Sequence, residues 1–591
     1  MSATHSVTIG AFASSLNPTR LRLGPIWLAV PGFAFLAIFF LFPVFHLLAL
    51  SFQDPSVGGF SVASYARILA TDVYVRVLGI TFRIAANTAF LSVLIGYPVA
   101  YWLARMPDIA RNRLILFVMV PFWTSYLVKT LSWTILLGRN GVVNSVLGST
   151  GVISQPLSLL YNEFGVMVGM VHAMVPLAVL TMLPVMLEID RRLIQAAQSL
   201  GAVPSQAFWL IYFKLSLPGV TASALLVFIS SLGFFIVPAF LGGRQETMLA
   251  QLIIVQVQEL VNWPFAGALA AVMLVSALGF CWVFDRLFDL SSIAGESSTA
   301  TPGQKRLRLL GLRVLRAVAA ISRLASIAVH STIGAKVART FLPMFSGFVL
   351  VFLALPALLV IPMGFTSSQF LEFPPPGYSL RWFEAYFSSP VWIAATLRSF
   401  VVAAATAAVA TVIGGLAALA LVRSNPRWAS LIFAMFLAPM IVPRIITAVG
   451  MFYLFSQLHL VATDTGLVIG HTVLALPFVF VTMSAIFKTY DWRLDQAAAV
   501  LGANRFRTLM LVTVPLVRGG LIAAFLFAFI TSFDELSVAI FVSGGIKTTL
   551  PKQMWDDMIL QLNPTLAAVS VVVFAIVAVL LLAAERLRRT K

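Results

Sequence analysis

Two adjacent carboxylates, Asp534 and Glu535, interrupt an apolar run long enough to lie in hydrocarbon. A carboxylate at the centre of a bilayer costs about 3 kcal/mol or more unless it faces water or a partner. The chemistry open to this pair is electrostatic: lining a pathway and attracting a cationic solute. The structural alternative is hydrogen bonding to neighbouring helices, or pairing with Arg398 or Arg444. Trp123, Tyr126 and Trp133 add aromatic faces that can hold alkyl or ammonium groups by cation–π contact. An aromatic belt at the lipid interface would use the same residues. His46, His172 and His471 are isolated within spans and lack metal-ligand spacing, so they are expected to be packed bundle residues. Cys281 is the sole cysteine, which leaves neither an internal disulfide nor a cysteine metal cluster. No metal site is expected.

These residues must be held by membrane helices. Of 591 residues, 60% are hydrophobic and only 10% charged, with mean hydropathy +0.98. Soluble domains carry roughly a quarter charged residues. A helix spans the hydrocarbon with about 20 apolar residues. Twelve runs meet that length: 27–50, 80–104, 114–137, 165–187, 219–242, 266–288, 342–366, 395–422, 429–456, 465–487, 519–542 and 565–584. The runs do not alternate as β-barrel strands do. The predicted class is therefore an all-α integral membrane protein. Pro43, Pro176 and Pro477 are expected to kink their helices. The first span is too long for a signal-peptide core, so it is read as a retained anchor.

The net charge of +18 follows topology. With the N-terminus inside, most of the 39 Lys and Arg fall on one side, among them Arg105, Arg111, Arg113, Arg191, Arg192, Arg505 and Arg507. Positive charge collects on the cytoplasmic face, so both termini are expected there. The basic balance is not a nucleic-acid footprint.

The chain repeats itself. Arg192-Leu193-Ile194-Gln195-Ala196-Ala197 recurs 301 residues later as Arg493-Leu494-Asp495-Gln496-Ala497-Ala498, followed by Gly201-Ala202 and Gly502-Ala503. The shift also holds for Pro176/Pro477, Gly219/Gly520 and Phe228/Phe529. Four segments follow: 1–25, a cytoplasmic N-terminal segment; 26–290, a first six-span unit; 291–340, a basic cytoplasmic linker; and 341–591, a second six-span unit. In the linker, Arg306, Arg313, Arg316 and Arg323 share one helical arc, suited to an inner membrane face or to a solvated helix. Each repeated loop reads as helix, glycine turn, helix. Its alanines allow close approach of a partner, and its glycine permits positive φ where the chain reverses. At the same shift, Asp534 aligns with Gly233 and Glu535 with Phe234, so the carboxylates belong to one half only.

The pattern Gln-Ala-Ala-x3-Gly, followed by a hydrophobic-Pro step, resembles the EAA loop of binding-protein-dependent ABC importer permeases. The second copy carries the signature through Val514-Pro515; the first has Lys214 at the expected proline and Pro218 four residues later. Both copies have Gln where the family usually has Glu, which removes a charge from the docking face. Around Pro121–Trp133, Leu137–Asn144 and Ser231–Gly233 the first half resembles one spermidine/putrescine permease subunit. Around Ser532–Ser537 the second half resembles its partner subunit, as a fused form would require. The resemblance implies a type I ABC importer permease in a bacterial inner membrane. Gln195, Ala196, Ala197, Gly201, Gln496, Ala497, Ala498, Gly502 and Pro515 would then face two cytoplasmic ATPase subunits. A periplasmic substrate-binding protein would deliver a small solute, a polyamine first and ferric iron second.

The chain lacks G-x-x-x-x-G-K-[ST], so no ATP is expected to bind it in that way; ATP and magnesium would belong to the partner ATPase. It is expected to be a transport subunit rather than an enzyme. A secondary transporter with six plus six spans is the rival. It leaves the repeated loops unexplained.

Overall fold

The computed structural model describes residues 25–53, 59–288, 313, 316–321, 335–424, 426–545 and 547–589. Most of the segment 1–25 and much of the linker arc, including Arg306 and Arg323, lie outside the described residues. Among those described, the chain is helical, with isolated β-bridges but no strand.

Nine helices among the described residues are long and apolar enough to cross a membrane. In the first half they are Ile26–Leu50, Asp72–Ala104, Glu163–Leu187, Pro204–Leu232 and Trp263–Arg286. In the second they are Thr340–Gly364, Pro390–Arg423, Asp464–Thr489 and Arg505–Phe533. The shorter apolar helix Thr565–Leu580 occupies the place of the last expected span.

The third and ninth spans, expected as single runs over 114–137 and 429–456, are each broken into two helices. Asp108–Trp123 and Tyr126–Ser149 meet at 93°, and Trp428–Ile441 and Arg444–Gln457 at 95°. Both breaks have local causes. Pro121 and Pro439 lie near the ends of the incoming helices. Pro443 then disfavours helical geometry at Val442 and starts the next helix from φ −53°, ψ 131°. At the corresponding place Ser125 is extended, and its hydroxyl accepts from the Leu127 amide at 3.3 Å. Pro121/Pro439 and Tyr126/Arg444 are related by a shift of 318, whereas the helix caps Asn162 and Thr463 are related by 301. The first half thus carries 17 more residues between these points, including the short helix Val142–Ser149.

Pseudo-equivalent glycines set the packing. A Cβ on Gly169 would lie 2.7 Å from Val237 Cγ1, and one on Gly470 would lie 2.6 Å from Val538 Cγ1. Small residues let membrane helices approach closely where lipid supplies no hydrophobic drive. Gly470→Leu is expected to destabilise the bundle by about 1–3 kcal/mol through overpacking. A fall in the detergent melting temperature would register this; an unchanged value would contradict the close packing.

The first span of each half leans on the other half. Phe33 packs edge-on against Phe436 with centroids 5.9 Å apart, and Phe39 meets Phe455 at 6.4 Å. Reciprocally, Phe352 lies 5.4 Å from Trp133, and His172 Nε2 is 3.1 Å from the Leu353 carbonyl oxygen. The halves therefore share one core.

Candidate functional site

The helix breaks converge between the halves. Pro204–Leu232 and Arg505–Phe533 stop about ten residues short of their expected ends, and Gly233 and Asp534 sit at their C-caps. Short helices, Ile236–Leu241 and Ala539–Val542, follow. These interruptions and the two bent spans enclose a cavity of about 150 Å³ lined by Tyr126, Gly233, Arg444, Asp534 and Glu535, among others. Non-helical backbone at membrane depth is tolerated where protein or a water-filled cavity surrounds it. The wall is chemically lopsided: Tyr126 and Gly233 of the first half stand where the second has Arg444 and Asp534.

Asp534 is half-buried and lines both this cavity and a smaller one beside Trp123, Ser125 and Met554. Glu535 is only 3% exposed, and its surroundings favour the structural alternative. Its Oε2 accepts from the Val538 amide at 2.9 Å and the Ala539 amide at 3.3 Å, capping the short helix. His471 Nε2 lies 3.5 Å from the same oxygen, while His471 Nδ1 is 2.8 Å from Ser532 Oγ. Glu535 therefore contributes to the wall with one oxygen committed to backbone.

Of the three aromatics, only Tyr126 reaches the larger cavity, packed at 5.0 Å against Phe234. Trp123 packs tilted against Phe527, centroids 4.7 Å apart, and lines the smaller cavity. Trp133 is away from both, buried against His172 and Phe352. The expected aromatic wall is thus narrower, because the 93° bend turns the Trp133 turn of the helix into the core.

A residue missed by sequence reasoning is Lys129, 3% exposed. Its ammonium donates to the Pro121 carbonyl at 3.0 Å and lies 4.2 Å from the Tyr126 ring centroid. The helix break at Thr124–Ser125 releases that carbonyl from helical bonding. A charge inside an apolar run was the available signal. Of the candidate partners for the carboxylates, Arg398 pairs with Asp464 at 2.8 Å, whereas Arg444 faces the cavity. His46 packs between Phe42 and Tyr453. Among the described residues no group of three His, Cys, Asp or Glu could hold a metal.

The repeated loops form a second site. Their helices, Arg191–Ser199 and Arg493–Val500, contain no fully buried residue. Gln195, Ala196, Gln496 and Ala497 are exposed, and Ala197 and Ala498 half-buried. Gly201 (φ 90°) and Gly502 (φ 84°) reverse the chain in the left-handed region. Pro515 is exposed in the first turn of Val514–Phe533. Beside each glycine a leucine stands free, Leu200 at 89% and Leu501 at 87% exposure. Paired apolar side chains held out on polar loops suit a protein interface.

The family model described as "Binding-protein-dependent transport system inner membrane component" matches residues 410–590. The spermidine/putrescine transport system permease protein PotB of Haemophilus influenzae is 29% identical over 243 residues, covering 40% of this chain and 85% of that protein. PotB of Escherichia coli K12 is 31% identical over 234 residues, covering 39% and 84%. The putrescine transport system permease protein PotI of the same strain is 30% identical over 235 residues, covering 39% and 83%.

Proposed function

Because this chain belongs to the inner-membrane permeases of binding-protein-dependent ABC importers, we propose that it carries a polyamine or similar small organic cation into the cytoplasm. The observation that carries this reading is Asp534, a carboxylate of one half lining a cavity between the two halves. The names of the relatives, which include spermidine and putrescine permeases, point to the same solute class.

Residues 26–290 and 341–591 act as two fused permease units, with both termini cytoplasmic. Two ATPase subunits dock on the loops around Gly201 and Gly502 and hydrolyse ATP with magnesium. A loaded binding protein docks on the opposite face. Closure of the ATPase pair pushes the loops, and the bent spans open the cavity to alternate sides. Arg444 and Lys129 lie near Asp534 and compensate its charge when no solute is present. An entering amine competes with them, so it is attracted without being trapped.

The test is uptake of labelled spermidine, putrescine and ferric iron in cells with and without the chain. Each is repeated with ATP depleted and with the proton gradient collapsed. Chain-dependent amine uptake that needs ATP and survives collapse is the expected result. Iron uptake with the same energetics would replace the solute, and uptake that follows the proton gradient would overturn the proposal.

A further inference from the structure

The two coupling loops are joined to the membrane helices by different chemistry. In the second half, Asp495 points from the loop helix Arg493–Val500 into the body and is largely shielded, its side chain 13% exposed. One of its oxygens lies 2.5 Å from Arg423 Nη2, at the end of Pro390–Arg423. The other accepts from Tyr490 Oη at 2.8 Å, just beyond Asp464–Thr489, and from Thr513 Oγ1 at 3.1 Å, within the span Arg505–Phe533. A single carboxylate thus ties the loop helix to the ends of three spans. The Arg423 guanidinium also lies over the Trp492 ring at 4.3 Å. Burial and the bond to Asp495 push the Tyr490 phenol above its ordinary value, so it stays a donor.

The first half keeps the arginine and loses the rest. Arg105 corresponds to Arg423, but Ile194 replaces Asp495, Ile189 replaces Tyr490 and Tyr212 replaces Thr513. Arg105 instead donates to Tyr101 Oη at 2.9 Å, within its own helix. Tyr101 packs edge-on against Tyr212 and Phe208, at 4.9 and 5.2 Å. Among the described residues, the loop helix itself is tied to a span by one hydrogen bond, from Arg191 to the Ala104 carbonyl at 2.9 Å. One charge-assisted bond supplemented by apolar and ring contacts constrains direction and distance less than the three hydrogen bonds that converge on the Asp495 carboxylate.

We infer that coupling is unequal: the second loop transmits motion rigidly through Asp495, and the first is a compliant joint. Asp495 is a positioning residue, since it faces the spans and acts through Arg423, Tyr490 and Thr513. The inference rests on the proposed docking of ATPase subunits. Coupling energies of this kind typically change a response by roughly 5–150-fold.

The experiment uses the full chain, affinity-tagged, with the ATPase it captures from its own cells, and ATP-dependent uptake of labelled putrescine and spermidine. Asp495→Ala is expected to lower uptake about tenfold while captured ATPase and its basal hydrolysis stay unchanged. Asp495→Glu should restore most of that loss, which a bulk folding defect would not predict. Ile194→Ala should lower uptake less than about threefold. Equal losses for Asp495→Ala and Ile194→Ala, or no loss for Asp495→Ala, would overturn the inference alone. An unaltered chain that captures no ATP-hydrolysing partner would overturn the docking proposal and this inference with it. If Asp495→Ala fails to accumulate, Tyr490→Phe removes a single hydrogen bond and should lower uptake about threefold; unchanged uptake there also overturns it.

Discussion

Asp534→Asn is expected to reduce amine uptake roughly tenfold or more, the rate equivalent of about 1.4 kcal/mol lost from a charge–charge attraction. The substitution preserves shape and one acceptor oxygen at the C-cap of Arg505–Phe533, so membrane abundance and captured ATPase should remain at the unaltered level. The side chain is half-buried in a wall that also holds Arg444. Removing the negative charge leaves only Glu535, whose one oxygen is committed to backbone amides, to balance Arg444, so a cation entering the cavity loses the attraction of an available carboxylate. Glu535→Gln offers the contrast. Its carboxylate caps Val538 and Ala539, so its loss should appear first as lower thermal stability. Unchanged uptake in Asp534→Asn would remove the electrostatic basis of the proposed solute class.

Gly502→Pro is expected to abolish coupled uptake. The glycine sits at φ 84°, and proline is confined near −65°. The loop cannot keep its reversal, so the exposed Leu501 and the helix carrying Gln496 and Ala497 lose their placement. Gly502→Asn is the informative companion, because asparagine tolerates the left-handed region. It should retain much of the uptake and most of the captured ATPase. Full activity in Gly502→Pro would show that this loop is not where the ATPase docks. Gly201→Pro, at φ 90°, tests the first loop in the same way.

The class of the molecule was legible because it depends on quantities summed along the chain. Long apolar runs have one stable outcome in lipid, a helix that satisfies its own backbone. The positive-φ turns at Gly201 and Gly502 were legible too, since a local reversal favours a residue without Cβ. The carboxylates at 534 and 535 were visible as a break in a repeat. Their different circumstances were not, because the amides that bind Glu535 become available only where the helix Arg505–Phe533 stops short.

Tertiary structure alone decided the rest. The bends near 90° combine proline and cap geometry with packing against neighbours, and hydropathy averages over them as single spans. The same bends place Tyr126 in the cavity and Trp133 in the core. The exchange of first spans between halves is a choice among apolar surfaces of similar composition, which a one-dimensional pattern cannot rank. Lys129 and Asp534 are about 400 residues apart and approach only when the halves close. Local propensity and composition act within a few turns of helix; charge compensation and cavity shape depend on residues brought together from both halves.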